Sequence, residues 1–138
     1  MVTIAPPALG NPPLHILYLD DDESLVLMMQ RLLRRRGFQV SGYTQQAEAL
    51  AAIRAAPHSF NLVVTDYTMP GMSGLEVAAA VRDIRPNLPI AIASGFIDEH
   101  LQTQATAAGI ATLLYKTNAA EDFGAAIERL AQGYTTVK

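Results

Sequence analysis

The chain contains no cysteine. Disulfides, thiolate metal sites and cysteine nucleophiles are therefore excluded. It also lacks any apolar run approaching the ~20 residues needed to span a bilayer. Its N-terminus has neither the basic start nor the apolar centre of a signal peptide. A soluble, cytoplasmic protein with no membrane partner is expected. Positive charge is scarce: ten Lys and Arg stand against thirteen Asp and Glu, a net charge of −3. Meeting the phosphates of a nucleic acid takes a surplus of basic groups, so no nucleic-acid partner is expected. The one basic cluster, Arg31, Arg34, Arg35 and Arg36, is followed by Gly37. It reads as a helix end, where cations suit the negative pole of the dipole. Charged residues make up 17% of the chain against 50% apolar, which excludes a disordered acidic tail. The 138 residues suffice for one domain with a core and are too few for two ordinary ones.

Proline gathers at one end. Pro6, Pro7, Pro12 and Pro13, with Gly10 and Asn11, make residues 1–13 a stiff extended leader or linker. Residues 14–132 form the expected domain and 133–138 a C-terminal tail. Within the domain, short apolar runs alternate five times with helical patterns. The strand candidates are His15 to Leu19, Phe38 to Gly42, Leu62 to Thr65, Ile90 to Ala93 and Thr112 to Tyr115. Several are apolar throughout, as parallel strands buried on both faces should be. Leu25, Met28, Met29, Leu32 and Leu33 fall on one helical stripe, and Phe123, Ala126, Ile127, Leu130 and Ala131 repeat that spacing. Val77, Val81 and Ile84 mark a third helix, Leu101, Ala105 and Ala108 a fourth, and Leu50 and Ile53 an alanine-rich one between the second and third strands. Ser73 with Glu76 makes a capping box, and Asn118 with Glu121 resembles one. Gly37, Gly109 and Gly133 stand where helices should stop. The alternation implies an α/β fold, a doubly wound parallel sheet covered on both faces.

Such sheets bind ligands outside the carboxyl ends of their strands. The residues there are informative. Asp20, Asp21 and Asp22 follow the first strand, Asp66 the third, Ser94 the fourth and Lys116 the fifth. Crowded carboxylates repel and raise one another's pKa unless a cation intervenes. All-oxygen ligands at a rigid, partly hydrated rim suit Mg2+, which bridges readily to phosphate. Lys116 and Ser94 could take further phosphoryl oxygens, and a carboxylate nucleophile forming an acyl phosphate is established chemistry. Bland readings exist for each residue alone. Asp22 and Glu23 suit a helix cap, and Asp66 before Pro70-Gly71 could serve a turn. His15, His58 and His100 pair with no nucleophile and lack metal-ligand spacing, so solvated surface positions are expected for them.

The segments ILYLDDDE, LVVTDYTMPGMSGLE, IAIASGF and LLYKT together resemble the receiver domain of two-component response regulators, over roughly residues 14–132. The resemblance implies a flavodoxin-like (βα)5 sheet of strand order 2-1-3-4-5. It implies that Asp66 accepts a phosphoryl group from a histidine kinase or a histidine phosphotransfer protein. Asp20 and Asp21 match the acidic pair, with Asp21 the direct Mg2+ ligand and Asp20 acting through water. The Thr68 carbonyl matches the backbone ligand, Ser94 the hydroxyl position and Lys116 the lysine that meets the phosphoryl group. It further implies a signalling switch rather than an enzyme, read out on the face of the fourth helix, fifth strand and fifth helix. A homodimer through that face is a candidate.

Two departures from the family pattern stand out. Thr117 follows Lys116 where proline is usual; a cis bond before a non-proline costs about 3–4 kcal/mol, so a trans Lys116–Thr117 bond is expected. Leu113 stands where many receivers carry an aromatic, and Tyr115 lies beside the lysine instead. Ser94-Gly95-Phe96 and the missing aromatic are closer to receivers attached to hybrid sensor histidine kinases. Two rival readings fit the same residues. One is a pseudo-receiver that keeps the shape without phosphorylation. The other is a haloacid-dehalogenase-like phosphatase using Asp20 as nucleophile and Asp22 as general acid.

Overall fold

The computed structural model describes residues 13–110, 112–117 and 119–136. The leader, apart from Pro13, and the cap expected at Asn118 lie outside them. Five parallel strands form one sheet: β1 (His15–Leu19), β2 (Gln39–Tyr43), β3 (Leu62–Asp66), β4 (Ile90–Ser94) and β5 (Thr112–Tyr115). Their order is β2-β1-β3-β4-β5, the flavodoxin-like arrangement expected. The helices are α1 (Glu23–Arg35), α2 (Gln46–Ala55), α3 (Gly74–Ile84), α4 (Glu99–Ala107) and α5 (Ala120–Thr136).

Side chains alternate across a strand, and both faces of this sheet are covered. Leu17, Leu19, Val63, Ile90 and Ile92 pack with Ala49, Leu50 and Ile53 of α2, Val77 and Val81 of α3, and Ala105 of α4. Ile16, Tyr18, Leu62, Val64, Ala91 and Ala93 pack with Val26, Met29 and Leu33 of α1 and with Phe123, Ile127 and Ala131 of α5. That double burial is why β1, β3 and β4 read as continuous apolar runs.

Local signals set the helix ends. Asp22 caps α1, its carboxylate accepting from the Leu25 N–H at 3.2 Å, and Asp98 caps α4 in the same way. The Ser73–Glu76 capping box is present in both directions. Gly37 (φ +99°) and Gly109 (φ +80°) take the left-handed conformation beyond α1 and α4, which glycine adopts without a Cβ penalty. Arg34 and Arg35 lie in the last turn of α1. Arg34 donates to the Val40 carbonyl, while Arg35 and Arg36 pair with Glu121 of α5, so three of the four arginines in this cluster serve structure.

Four expectations need correcting. Met28 is not part of the α1 core stripe: it is 44% exposed, and Val26 is buried in its place. Adjacent residues are turned about 100° around a helix, so the face centred on Met29 leaves Met28 on the flank. Ala108 is exposed at the C-cap of α4 rather than on its buried face. Gly133 does not end α5, which runs on to Thr136; a helical glycine costs about 1 kcal/mol but is not a stop. His15 is buried rather than solvated. One ring nitrogen lies 2.7 Å from the Ser41 hydroxyl and the other 3.1 Å from the Ser59 carbonyl, and the ring meets Phe60 at a centroid distance of 4.5 Å. Its place at the start of a central strand, with neighbours on both sides, overrides the polarity of the imidazole. His58 and His100 are exposed as expected.

Candidate functional site

The sheet changes direction at β1, which pairs with β2 on one side and β3 on the other. At the carboxyl ends of β1 and β3 stand Asp20 and Asp66. Backbone hydrogen bonds tie this rim together. The Asp20 N–H donates to the Tyr43 carbonyl, Tyr67 N–H to Ala93 and Lys116 N–H to Ser94, at 2.8–3.1 Å. The acids therefore rest on rigid backbone, although they come from separate parts of the chain.

Lys116 joins them. Its ammonium donates to Asp20 Oδ2 at 2.8 Å and to Asp66 Oδ1 at 3.1 Å. Asp20 is almost fully buried, Asp66 is buried, and Asp21 is exposed. The other Asp20 oxygen accepts the Asp22 N–H at 3.0 Å. Asp20, Asp21 and Asp66 each offer one carboxylate oxygen, and these atoms lie within 4.8 Å of one another. Such a set can gather around one small cation.

Electrostatics show the strain of this crowding. Burial, and next the charge of Asp20, push the Asp66 carboxyl above its ordinary pKa, against the downward pull of Lys116. Burial favours neutral Lys116, but the hydrogen bond and charge of Asp20, then Asp66, outweigh it and hold the ammonium above the usual lysine value. Below the rim, burial and then the Asp20 charge push the Tyr18 hydroxyl far above its ordinary pKa, keeping it protonated.

Ser94 reaches the same rim, as the last residue of β4. Its hydroxyl is turned into its own loop, donating to the Phe96 carbonyl at 2.7 Å and accepting the Phe96 N–H at 3.2 Å. Phe96 itself is 74% exposed, and Tyr115, the register partner of Ser94 on β5, is 58% exposed. Thr68 sits two residues past Asp66, exposed in the β3–α3 loop. The Lys116–Thr117 bond is trans, as expected from the absence of proline.

A family described as the response regulator receiver domain matches residues 16–128. The chain belongs to that family. This receiver domain is 33% identical over 106 residues to the C4-dicarboxylate transport transcriptional regulatory protein DctD of Rhizobium meliloti, covering 77% of this chain and 23% of that protein. It is 30% identical over 115 residues to the response regulator receiver protein CpdR of Brucella abortus, covering 83% and 94% respectively. The chemotaxis protein CheY4 of Vibrio cholerae has a similar structure, with a TM-score of 0.76 at 26% identity, covering 85% of this chain and 98% of that one. The receiver thus spans about a quarter of DctD and nearly all of CpdR.

Two residues that shape the receiver's rim carried no assignment from sequence. Tyr18 was legible only as an aromatic with a polar tip in an otherwise aliphatic strand. Gly74, the first residue of α3, lets that helix start against the end of β3. A Cβ there would stand 2.5 Å from the Asp66 carbonyl oxygen and 3.0 Å from the Tyr67 Cα. Both are backbone atoms, so the clash cannot be relieved by a rotamer change. Gly74→Ala is expected to cost about 1–3 kcal/mol in a urea melt and to displace the Asp66 backbone. Amide chemical shifts of Asp66 and Tyr67 should report that displacement.

Proposed function

We propose that this chain is a phosphoacceptor receiver, in which Asp66 takes a phosphoryl group from a phosphohistidine on a histidine kinase or a histidine phosphotransfer protein. The observation that carries the reading is the Lys116 ammonium spanning Asp20 and Asp66, with Asp21 in reach of both. Three carboxylates against one ammonium leave two negative charges, the complement of a divalent cation. Hard oxygen donors of this kind fit Mg2+. Asp20, Asp21, Asp66 and the Thr68 carbonyl would hold it, Asp20 through water. Bound there, Mg2+ neutralises the acids and polarises phosphoryl oxygens.

The chain's own residues do the remaining work. An Asp66 carboxylate oxygen attacks phosphorus; the O–P bond forms as the N–P bond to the donor imidazole breaks, and the electron pair stays on that nitrogen. Lys116 follows the negative charge from the bare carboxylates to a phosphoryl oxygen. Ser94 leaves the Phe96 backbone for another, releasing the β4–α4 loop. The added charge, about −1.5 to −2 by analogy with other protein phosphates, draws both side chains inward. It raises the population of a conformation read out on α4, β5 and α5. With Leu113 at the usual aromatic position, exposed Phe96 and Tyr115 are the side chains placed to change with that loop. Such exchange with a kinase belongs in the cytoplasm.

The phosphatase reading is less well supported, because the Asp22 carboxylate caps α1 instead of serving as a free acid. One experiment separates this reading from the pseudo-receiver. With Mg2+ and acetyl phosphate, intact mass should show one phosphoryl-sized adduct, labile to hydroxylamine and absent from Asp66→Ala. No adduct, together with no spectral response to beryllium fluoride, would leave a scaffold that does not use phosphorylation.

A further inference from the structure

Gln46 opens α2, on the far side of the site from Lys116, and no sequence motif marks it. Its side-chain nitrogen lies 2.7 Å from the Pro70 carbonyl oxygen and 3.0 Å from that of Met72. Carbonyls only accept, so the group facing both must be the NH2 end of the amide, donating one hydrogen to each. These carbonyls flank Gly71, whose φ of +84° makes the sharp bend of the β3–α3 loop.

The rest of that loop is secured in other ways. Tyr67 N–H is bonded to Ala93, and Gly74 N–H returns to the Tyr67 carbonyl. Met69 is buried in the core, and the Ser73–Glu76 box fixes the entry to α3. Between Met69 and Ser73 the chain runs over the surface, with Pro70 and Gly71 exposed. Gln46 pins this outer arc to α2.

From this we infer that Gln46 is a positioning residue for the metal-binding loop: by clamping the Pro70 and Met72 carbonyls it fixes the path of residues 70–72. That arc follows directly on Met69, so holding it limits the rotation open to the Thr68–Met69 peptide and to the Thr68 carbonyl. The inference rests on the proposed function for the identity of the ligand, Mg2+. Gln46 touches neither the cation nor the phosphoryl group. Its effect belongs in the affinity for Mg2+, and only through that in the rate of phosphorylation. Outer groups that orient metal ligands commonly change affinity by 10–100-fold when removed, and one loop carbonyl among several ligands belongs at the low end of that range.

Three substitutions separate position from charge. Gln46→Met keeps the length and loses both donors. Gln46→Glu keeps the shape, loses the donors and adds negative charge. Gln46→Lys restores a donor and adds positive charge. Mg2+ titration followed by amide chemical shifts should give a dissociation constant about 10-fold weaker for Gln46→Met and weaker than wild type for Gln46→Glu. Gln46→Lys should recover most of the loss. Amide exchange across residues 67–73 without Mg2+ should quicken in Gln46→Met. Labelling by acetyl phosphate should regain the wild-type maximal rate at saturating Mg2+, a split that general destabilisation would not give. Unchanged Mg2+ affinity in Gln46→Met would overturn the inference. So would an order set by charge alone, with Glu tighter than wild type and Lys weaker than Met. If the wild-type chain itself bound no Mg2+ and took no phosphoryl group, the receiver reading would fail and this inference with it.

Discussion

Asp66→Asn is expected to melt higher than wild type at neutral pH and to take up no phosphoryl group at all. The loss follows from removing the proposed acceptor oxygen. The gain in stability follows from the environment of the carboxylate. Burial first, and the charge of Asp20 next, raise the Asp66 pKa above its ordinary value despite Lys116. The folded state therefore holds this proton more tightly than the unfolded chain does. An acid with a raised folded pKa favours folding most where both states are protonated. That advantage disappears as pH rises from the unfolded value, about 3.9, through the folded one. At neutral pH the ionised carboxylate is a standing cost, which a neutral amide of the same shape removes. Relieving one such functional group commonly adds about 0.5–2 kcal/mol, or roughly 2–8 °C in a domain of this size. Calorimetry without Mg2+ should show the gap at pH 7 and its closure as pH falls below the ordinary aspartate value, about 3.9. An Asp66→Asn protein that melted at or below wild type at pH 7 would contradict this account. Adding Mg2+ should reverse the ranking, since a cation bound to the native state alone stabilises by about 2.7 kcal/mol at 100 times its dissociation constant.

Lys116→Met should have the opposite effect on stability. The ammonium is the counter-charge found within 3.1 Å of both Asp20 and Asp66, and Asp20 is almost inaccessible to water. Removing one partner of a fully buried pair costs about 3–5 kcal/mol. Lys116 is partly exposed and Asp66 can take up a proton, so about 2–3 kcal/mol is expected here. The sign of the pH dependence is also fixed. A lysine with a raised folded pKa contributes fully below its ordinary value, about 10.4, and that contribution fades as pH climbs through the folded one. Urea melts at pH 7 should show the deficit, and Mg2+ should restore much of it by supplying the missing positive charge. Phosphoryl uptake should fall by about 10²–10³-fold, the usual loss when one positioned donor to a developing anion is removed. Wild-type stability in Lys116→Met without Mg2+ would show that the ion pair adds nothing net. Wild-type labelling would remove the lysine from the chemistry.

The fold was legible because its signals are local. Double burial of β1, β3 and β4 requires unbroken apolar runs, and a helix lying on a sheet requires a 3.6-residue period. The misreadings had physical causes too. The α1 pattern Leu25, Met28, Met29, Leu32, Leu33 is wide enough to admit either Val26 or Met28 as its edge. Only the direction in which the helix settles against β1 and β2 selects Val26. His15 is polar by type, but the Ser41 and Ser59 groups that satisfy it arrive from other strands and loops. Gly133 is a helix-ending residue by type, yet α5 runs on to Thr136, since a helical glycine costs about 1 kcal/mol without being a stop.

From the order of residues alone came the strand ends, and with them the placing of Asp20, Asp21, Asp66, Ser94 and Lys116 on one rim. Strand termini follow from periodicity and turn chemistry within a few neighbouring positions. Folding in three dimensions decided which groups meet. Lys116 reaches Asp20 across 96 positions and Asp66 across 50, Ser94 turns to Phe96, Gly74 makes room for the Asp66 carbonyl, and Gln46 finds the loop beyond it. Hydrogen bonds and contacts of this kind are fixed by separations of about 3 Å between atoms, and pattern along a chain does not encode such distances.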